Sequence, residues 1–209
     1  LGPIAHVLNI HRGDKFNYLV SMSSDQFGMN KYAKEHLPDS SKYYDVDFKK
    51  GDINTTLIKT QKGKTILLQH DVTSPRPYSR LYTLSGTNGF IQKYPKHSIA
   101  LEPNAHSSLS SDEIDSLMLS YQPSVLKEIK DKAKQVGGHG GMDYIMDYRL
   151  IYCLRNGLPL DQDVYDAAEW SSIVELSRKS VESGSAPVEI PDFTRGNWGK
   201  VKKVSYFIK

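Results

Sequence analysis

The chain has 209 residues, of which 38% are hydrophobic and 24% are charged, and its formal net charge at pH 7 is +3. These values exclude an intrinsically disordered chain, and so small a charge is not typical of a nucleic-acid-binding domain. No apolar run approaches the roughly 18 residues of a membrane-spanning helix, so we expect neither nucleic-acid binding nor membrane insertion. The single cysteine, Cys153, excludes an internal disulfide and a zinc cluster of several thiolates, and the histidine spacing predicts no metal site.

The N-terminal half consists mainly of predicted strands. Gly2-Pro3 indicates the first turn of a helix, because proline is favoured at an early helical position. Lys62-Gly63 and Gly86-Thr87-Asn88-Gly89 are turn signals that predict hairpins. Alternating or β-branched runs predict strands at Phe16–Ser21, Tyr43–Phe48, Asn54–Thr60, Lys64–His70, Tyr78–Ser85 and Phe90–Tyr94, with a short helix at Phe27–His36.

From Ser110 onward the apolar pattern has the helical period. Four helices are predicted: Ser111 (cap) to Tyr121, the segment after Pro123 with Leu126, Ile129, Ala133 and Val136 on one stripe, Met142–Arg155, and Asp163 (cap) to Glu182. The last of them carries a stripe of small residues that permits close packing on a sheet or a partner domain: Val164, Ala167, Ala168, Ser171 and Val174. A final strand is predicted at Val204–Ile208.

The order of strands followed by helices predicts an α+β fold with a large, mostly antiparallel open sheet and helices packed on one face. We expect residues 1–209 to form a single domain. Because the helices cover only one face of the sheet, the other face is predicted to pair with a second copy of the chain in a homo-oligomer.

Gly137-Gly138-His139-Gly140-Gly141-Met142-Asp143 is the first candidate site. One glycine would suffice to end a helix, whereas four glycines around a histidine let the backbone approach a ligand closely. They also direct the amides of a helix N-terminus at a polar group. Structural and functional interpretations of this segment are equally open.

The second candidate site is the segment from His70 to Arg80. Two prolines stiffen it, and it combines arginine, tyrosine and hydroxyl side chains, which suit a sugar. The alternative is an ordinary β-connection. If the strand alternation persists through Pro77, Arg76 and Arg80 lie on the same side as Tyr78 and can stabilise negative charge near its hydroxyl.

Several long motifs resemble the NAD-dependent glycoside hydrolase family 109, which contains α-N-acetylgalactosaminidases. That family belongs to the oxidoreductase superfamily named after glucose-fructose oxidoreductase, inositol dehydrogenase and MocA. The resemblance covers nearly the whole chain, in the segments Gly2–His6, Asn9–Asp14, His70–Gly89, Gly137–Arg149, Leu158–Ser171 and Phe193–Trp198.

The resemblance implies a C-terminal substrate-binding and oligomerisation domain, with a Rossmann domain that binds NAD upstream, so that the isolated chain would be inactive. It implies hydrolysis of N-acetylgalactosaminides by oxidation at C3, deprotonation at C2, elimination, water addition and hydride return. Tyr78 would contact the sugar as a base or as a hydrogen-bond donor, and His139 would line the same pocket, with Arg76 and Asp143 as further substrate-binding residues. The family also suggests a bacterial exported or periplasmic protein.

Two alternatives to a glycosidase are open. A sugar dehydrogenase or oxidoreductase of the same superfamily would keep the oxidised product and would accumulate reduced cofactor. A non-catalytic carbohydrate-binding or assembly module would bind sugar without turnover.

Overall fold

The computed structural model describes residues 1–201, which form two compact units. Unit 1 comprises Leu1–Pro75 and the described residues from Gln162 onward, and unit 2 comprises Arg76–Asp161. In chain order the elements are α1 (Gly2–Val7), β1 (Phe16–Ser23), α2 (Gly28–His36), β2 (Ile53–Thr60), β3 (Thr65–Asp71), β4 (Thr83–Ser85), β5 (Gly89–Gln92), β6 (Ser98–Leu101), α3 (Ser111–Ser120), α4 (Ser124–Val136), α5 (Met142–Arg155), α6 (Val164–Glu182) and β7 (Val188–Glu189).

Unit 1 is built on a four-stranded antiparallel sheet in the order β3-β2-β1-β7, with α6 packed against β1. The strands alternate, so that Leu19 and Ile58 are buried on one face while Leu57 is exposed on the other. Ile173 and Leu176 of α6 join the buried cluster. Burying each such side chain contributes about 1.5–3 kcal/mol, which makes this sheet–helix layer the core of the unit.

The buried face of α6 differs from the predicted small-residue stripe. Val164 and Val174 are 71% and 78% exposed, and Ala167 and Ser171 are also exposed. The prediction that this stripe packs on the sheet is therefore wrong, and its packing on a partner domain stays a prediction. The sheet-facing side carries larger and polar groups that bond to neighbouring elements. Ser180 Oγ, for example, accepts the backbone N–H of Ser21 on β1 at 2.9 Å. Helix α6 therefore packs on the sheet through larger side chains and through polar side chains that have hydrogen-bond partners, and not through a stripe of small residues.

Unit 2 contains a three-stranded antiparallel sheet, β4-β5-β6, and the helices α3, α4 and α5. The hairpin predicted around Gly86–Gly89 joins β4 to β5. Helix α3 begins with a capping box in which Ser110 Oγ accepts the backbone N–H of Glu113. Helices α4 and α5 pack together, and the thiol of Cys153 on α5 is fully buried, which raises its pKa.

The α+β class and the antiparallel pairing are confirmed, and the strands are divided between two sheets. One strand prediction is wrong, and the prediction for Tyr78–Ser85 is wrong in its first five residues. Residues 43–48 form turns and irregular structure, and residues 78–82 precede β4 without joining a ladder. Leu81 explains the second case, because its positive φ of 46° is not a strand conformation. The strand predicted at Val204–Ile208 lies outside the described residues, and the single-domain prediction stays a prediction.

Candidate functional site

All four residues that the sequence assigned to the site lie in unit 2. Tyr78 belongs to the irregular segment before β4 and is 71% exposed. Its hydroxyl oxygen accepts a hydrogen bond from Arg80 Nε at 2.5 Å. Arg76 is exposed in the same segment. The contact between Tyr78 and Arg80 therefore forms without the strand alternation that the sequence suggested.

Two further tyrosines surround this contact. The ring of Tyr94 meets the ring of Tyr78 edge to face at 6.1 Å between centroids, and meets that of Tyr82 at 6.2 Å. Arg80 donates to the hydroxyl oxygen of Tyr78, and this contact, followed by the interaction with Tyr82, raises the pKa of Arg80, so its guanidinium stays charged. No sequence motif marked Tyr82 and Tyr94 as site residues. Extending the predicted hairpin beyond β4 and β5 would have found them, because Lys93 N donates to Tyr82 O at 2.8 Å.

The glycine-rich segment links α4 to α5 through five consecutive residues with positive φ, from Gly137 to Gly141. The segment contains two kinds of glycine. A Cβ on Gly141 would lie 2.7 Å from the backbone of Ala133, whereas a Cβ on Gly140 would meet nothing within 4 Å. Gly141 is thus required for packing against α4, and Gly140 leaves open space beside the backbone. Gly141 therefore fits the structural interpretation of the segment, and the functional interpretation, for which the space beside Gly140 leaves room, stays a prediction.

His139 and Asp143 form a pair at the start of α5. His139 Nδ1 lies 2.9 Å and 3.1 Å from the two carboxylate oxygens of Asp143, and both side chains are more than half exposed. The carboxylate fixes the orientation of the imidazole and leaves its Nε2 toward solvent. Among the described residues, no hydrogen bond or ring contact joins this pair to Tyr78. Three of the four predicted residues therefore lie in two separate pairs, Tyr78 with Arg80 and His139 with Asp143.

Unit 1 holds a buried charged cluster that the sequence analysis missed. Arg12 donates to both carboxylate oxygens of Asp166 at 2.6 and 2.8 Å, and the two side chains are almost fully buried. His11 Nε2 lies 2.8 Å from Glu169 Oε2, and both residues are 1% exposed. The two atoms are close, but they are not aligned for a hydrogen bond. Asp166 and Glu169 are three residues apart on α6, a helical spacing that could have suggested a shared buried face.

Two buried carboxylates of unit 1, Asp166 and Asp14, are stabilised by hydrogen bonds within the chain. Burial raises the pKa of Asp166, but the hydrogen bonds from Arg12 and from the backbone of Asp163, with the charge of Arg12, bring it below its usual value. Asp14, also fully buried, has a lowered pKa because hydrogen bonds, first from Lys64, outweigh burial. These carboxylates are already ionised and bonded within the chain, which is typical of structural ion pairs.

The described residues do not fit the pyrophosphate of a dinucleotide. Within residues 1–201 the segment with several clustered glycines is 137–141, which follows a helix, and the N-terminus of α5 already carries the carboxylate of Asp143. A second negative charge there would be repelled. Over the same residues, no group of three or more His, Cys, Asp or Glu side chains is arranged to hold a metal ion, and no helix is long and apolar enough to cross a membrane.

Comparison with known proteins identifies the family. The model for "Glycosyl hydrolase 109, C-terminal domain" matches residues 1–200. A protein of Bacteroides fragilis named alpha-N-acetylgalactosaminidase is 56% identical over 200 residues, covering 96% of this chain and 47% of that protein. Glycosyl hydrolase family 109 protein 2 of Phocaeicola vulgatus is 56% identical over 198 residues (95% and 48%), and family 109 protein 1 of Bacteroides thetaiotaomicron is 51% identical over 216 (97% and 45%).

The chain belongs to glycosyl hydrolase family 109 and corresponds to its C-terminal domain. The resemblance drawn from the sequence motifs is thereby confirmed. The chain spans about half the length of the curated relatives that it matches.

Proposed function

We propose that this chain is the substrate-binding domain of an enzyme that hydrolyses N-acetylgalactosaminides. The observation that carries the proposal is the family match over residues 1–200, together with the name of the B. fragilis relative. The exposed side chain of Tyr78 and the exposed pair of His139 and Asp143 support it, because both bring hydrogen-bonding groups to the surface. Sugars are bound by such combinations of aromatic rings and polar groups.

The proposed reaction depends on NAD, which would supply oxidation at C3 of the sugar and its reversal. Because the described residues do not fit a pyrophosphate, we place the cofactor-binding residues outside this chain. A ketone at C3 acidifies the proton at C2, which permits elimination of the C1 substituent and addition of water. In this scheme the chain binds and orients the sugar. Tyr78 contacts it as a base or as a hydrogen-bond donor, with Arg76, His139 and Asp143 as further binding residues.

The test uses the full-length enzyme with NAD and an aryl α-N-acetylgalactosaminide in heavy water. We expect the released sugar to carry deuterium at C2, because the C2 proton is exchanged with solvent during elimination. A control incubation of free N-acetylgalactosamine without enzyme measures background exchange. Hydrolysis without deuterium at C2 would refute the elimination route. Net accumulation of reduced cofactor would instead indicate a sugar dehydrogenase, and sugar binding without turnover would indicate a binding module.

Tyr78→Phe tests the role of the hydroxyl in the same enzyme, since it keeps the ring and its contact with Tyr94. Loss of a base should lower kcat by roughly a hundredfold or more. Loss of a binding contact alone should raise KM with little change in kcat. If both constants stay close to wild type, Tyr78 is not a site residue.

We also propose that the outer face of the unit 1 sheet pairs with a second copy of the chain. Val20, Leu57 and Leu67 are cross-strand neighbours on that face, and Leu57 and Leu67 are 53% and 65% exposed. Leu57→Lys would place a charge at the centre of this patch, so we expect it to lower the mass measured by light scattering. Val174→Lys, an exposed apolar residue on α6, is the matched control and should leave the mass unchanged. A monomeric wild type, or an equal effect of both variants, would contradict the proposal.

A further inference from the structure

Arg80 is the side chain that bonds directly to the hydroxyl oxygen of Tyr78. Its Nε donates to that oxygen at 2.5 Å, and the guanidinium carbon lies 5.9 Å from the centre of the Tyr78 ring. A guanidinium has only donors, so the phenol oxygen must act as the acceptor in this contact. The phenolic proton, when present, is therefore directed at some other acceptor, and any negative charge on the oxygen faces a cation.

The surroundings hold Arg80 in this position. Tyr82 lies near enough to Arg80 to contribute, after Tyr78, to raising its pKa, so the guanidinium faces two phenol groups. The ring of Tyr94 meets both tyrosine rings at steep angles of 89° and 71°. Tyr82 is tied to the second strand of the hairpin through the backbone N–H of Lys93. Arg80 is thus oriented before a ligand arrives, which lowers the entropy cost of using it.

We propose that Arg80 is a positioning residue for Tyr78 that fixes the direction of its hydroxyl group and stabilises negative charge on its oxygen. The inference rests on the proposed function, in which Tyr78 contacts the sugar. Arg80 acts through Tyr78 and does not itself contact the reacting atoms. The position favours arginine, because its planar guanidinium presents N–H donors in a fixed geometry, whereas lysine presents a flexible ammonium.

The kinetic test compares Arg80→Gln with the wild type in the full-length enzyme and repeats the comparison in the Tyr78→Phe background. We expect Arg80→Gln to lower kcat/KM by roughly tenfold to a hundredfold, the range for losing a hydrogen bond to a charged group. In the Tyr78→Phe background the same substitution should change kcat/KM by less than about twofold, because the acceptor is gone. Arg80→Lys should recover part of the loss.

Lys93→Gln is the matched control. The ammonium of Lys93 lies over the ring of Tyr94, 5.7 Å from its centre, so this change removes a cation from the same tyrosine cluster without touching Tyr78. We expect it to leave kcat and KM unchanged. An equal loss with Lys93→Gln would show a general effect of charge and would overturn the proposal. So would an equal effect of Arg80→Gln in the wild-type and Tyr78→Phe backgrounds.

A second measurement does not depend on turnover. With tyrosine labelled with carbon-13 at Cζ, the NMR signal of Tyr78 is assigned by its loss in Tyr78→Phe. We expect the Cζ chemical shift of Tyr78 at neutral pH to change in Arg80→Gln, because the hydrogen bond to its hydroxyl oxygen is lost, and to stay unchanged in Lys93→Gln. No difference in Arg80→Gln would refute the contact. If the NMR difference is found but the enzyme shows no deuterium at C2, the proposed reaction fails while the role of Arg80 stands.

Discussion

Arg12 provides the sharpest stability prediction, because its partner is buried. Asp166 is 1% exposed and receives two hydrogen bonds from Arg12 and one from the backbone N–H of Asp163 at 3.1 Å. Arg12→Met keeps much of the length of the side chain but leaves the carboxylate with the backbone bond alone. Breaking one partner of a buried pair costs about 3–5 kcal/mol, and two hydrogen bonds to a charged group, at about 1.5–3 kcal/mol each, give a similar figure.

A loss of this size is a large part of the roughly 5–15 kcal/mol that holds a typical domain folded. With an m-value of about 2 kcal/mol per molar urea, it lowers the urea midpoint by about 2 M. Tryptophan fluorescence reports the unfolding of unit 1, which contains Arg12, because the two tryptophans, Trp170 and Trp198, both lie in that unit. We therefore expect the tryptophan transition of Arg12→Met at a clearly lower urea concentration than that of the wild type.

The pH dependence of the effect follows from the pKa of Asp166, which the fold lowers. A carboxyl group whose pKa is lower in the folded than in the unfolded state stabilises the protein at pH values above its unfolded pKa. This contribution is lost as the pH falls through the folded pKa. Without Arg12, burial raises the pKa of Asp166 above its unfolded value, so the variant loses stability as pH rises from acid to neutral. The difference between wild type and Arg12→Met should therefore be largest at neutral pH and should shrink below about pH 4.

Arg178→Met is the control, because Arg178 bonds to Glu175 and Glu182 in comparable short contacts but is exposed. Exposed ion pairs contribute little, so the urea midpoint of this variant should stay close to wild type. Equal midpoints for the two variants, or a loss in Arg12→Met that is the same at acid and neutral pH, would refute the claim that burial makes the pair strong.

Further predictions concern the glycine-rich segment and a second buried carboxylate. Gly141→Ala should lower the melting temperature measured by circular dichroism far more than Gly140→Ala, because only Gly141 would place its Cβ against the backbone of α4, and equal losses would contradict this. If a ligand approaches Gly140, Gly140→Val should reduce glycosidase activity more than it reduces stability. Because the pKa of Asp14 is lowered, its contribution to the stability of unit 1 is lost as pH falls through the folded value, and Asp14→Asn should flatten the acid limb of a pH–stability curve.

The helices were predictable because their ends carry local signals. Helix α5 runs over Met142–Arg155 as predicted, and Asp163 caps α6 with its carboxylate on the backbone N–H groups of Tyr165 and Asp166. The cap of α3 was displaced by one residue, since Ser110 rather than Ser111 has glutamate three positions later and can form the reciprocal box. Signals of this kind lie within four residues of one another and need no tertiary context.

The buried charges could not be predicted because their partners are distant in the sequence. Arg12 and Asp166 are 154 residues apart, and no local pattern connects the α1–β1 turn with α6. The tyrosine cluster around Arg80 could not be predicted for a different reason. The alternation of residues 78–85 suggested a strand, but Leu81 has a positive φ of 46°, which interrupts the extended backbone. Side-chain contacts determine where the polar residues of such a segment lie, and the alternation of apolar and polar residues in the sequence does not predict those contacts.

The contrast between the two charged groups of residues also decides which is the better candidate site. Buried ionisable groups with shifted pKa values are often functional, which would favour Asp166 and Glu169. Both carboxylate oxygens of Asp166 are already occupied by Arg12, and the residue is 1% exposed, so a substrate has no access without breaking the pair. Tyr78 has the opposite character: one partner fixes its hydroxyl oxygen, and 71% of its surface is open to a ligand. Enzymes need groups that are oriented yet accessible, and only the second set meets both conditions.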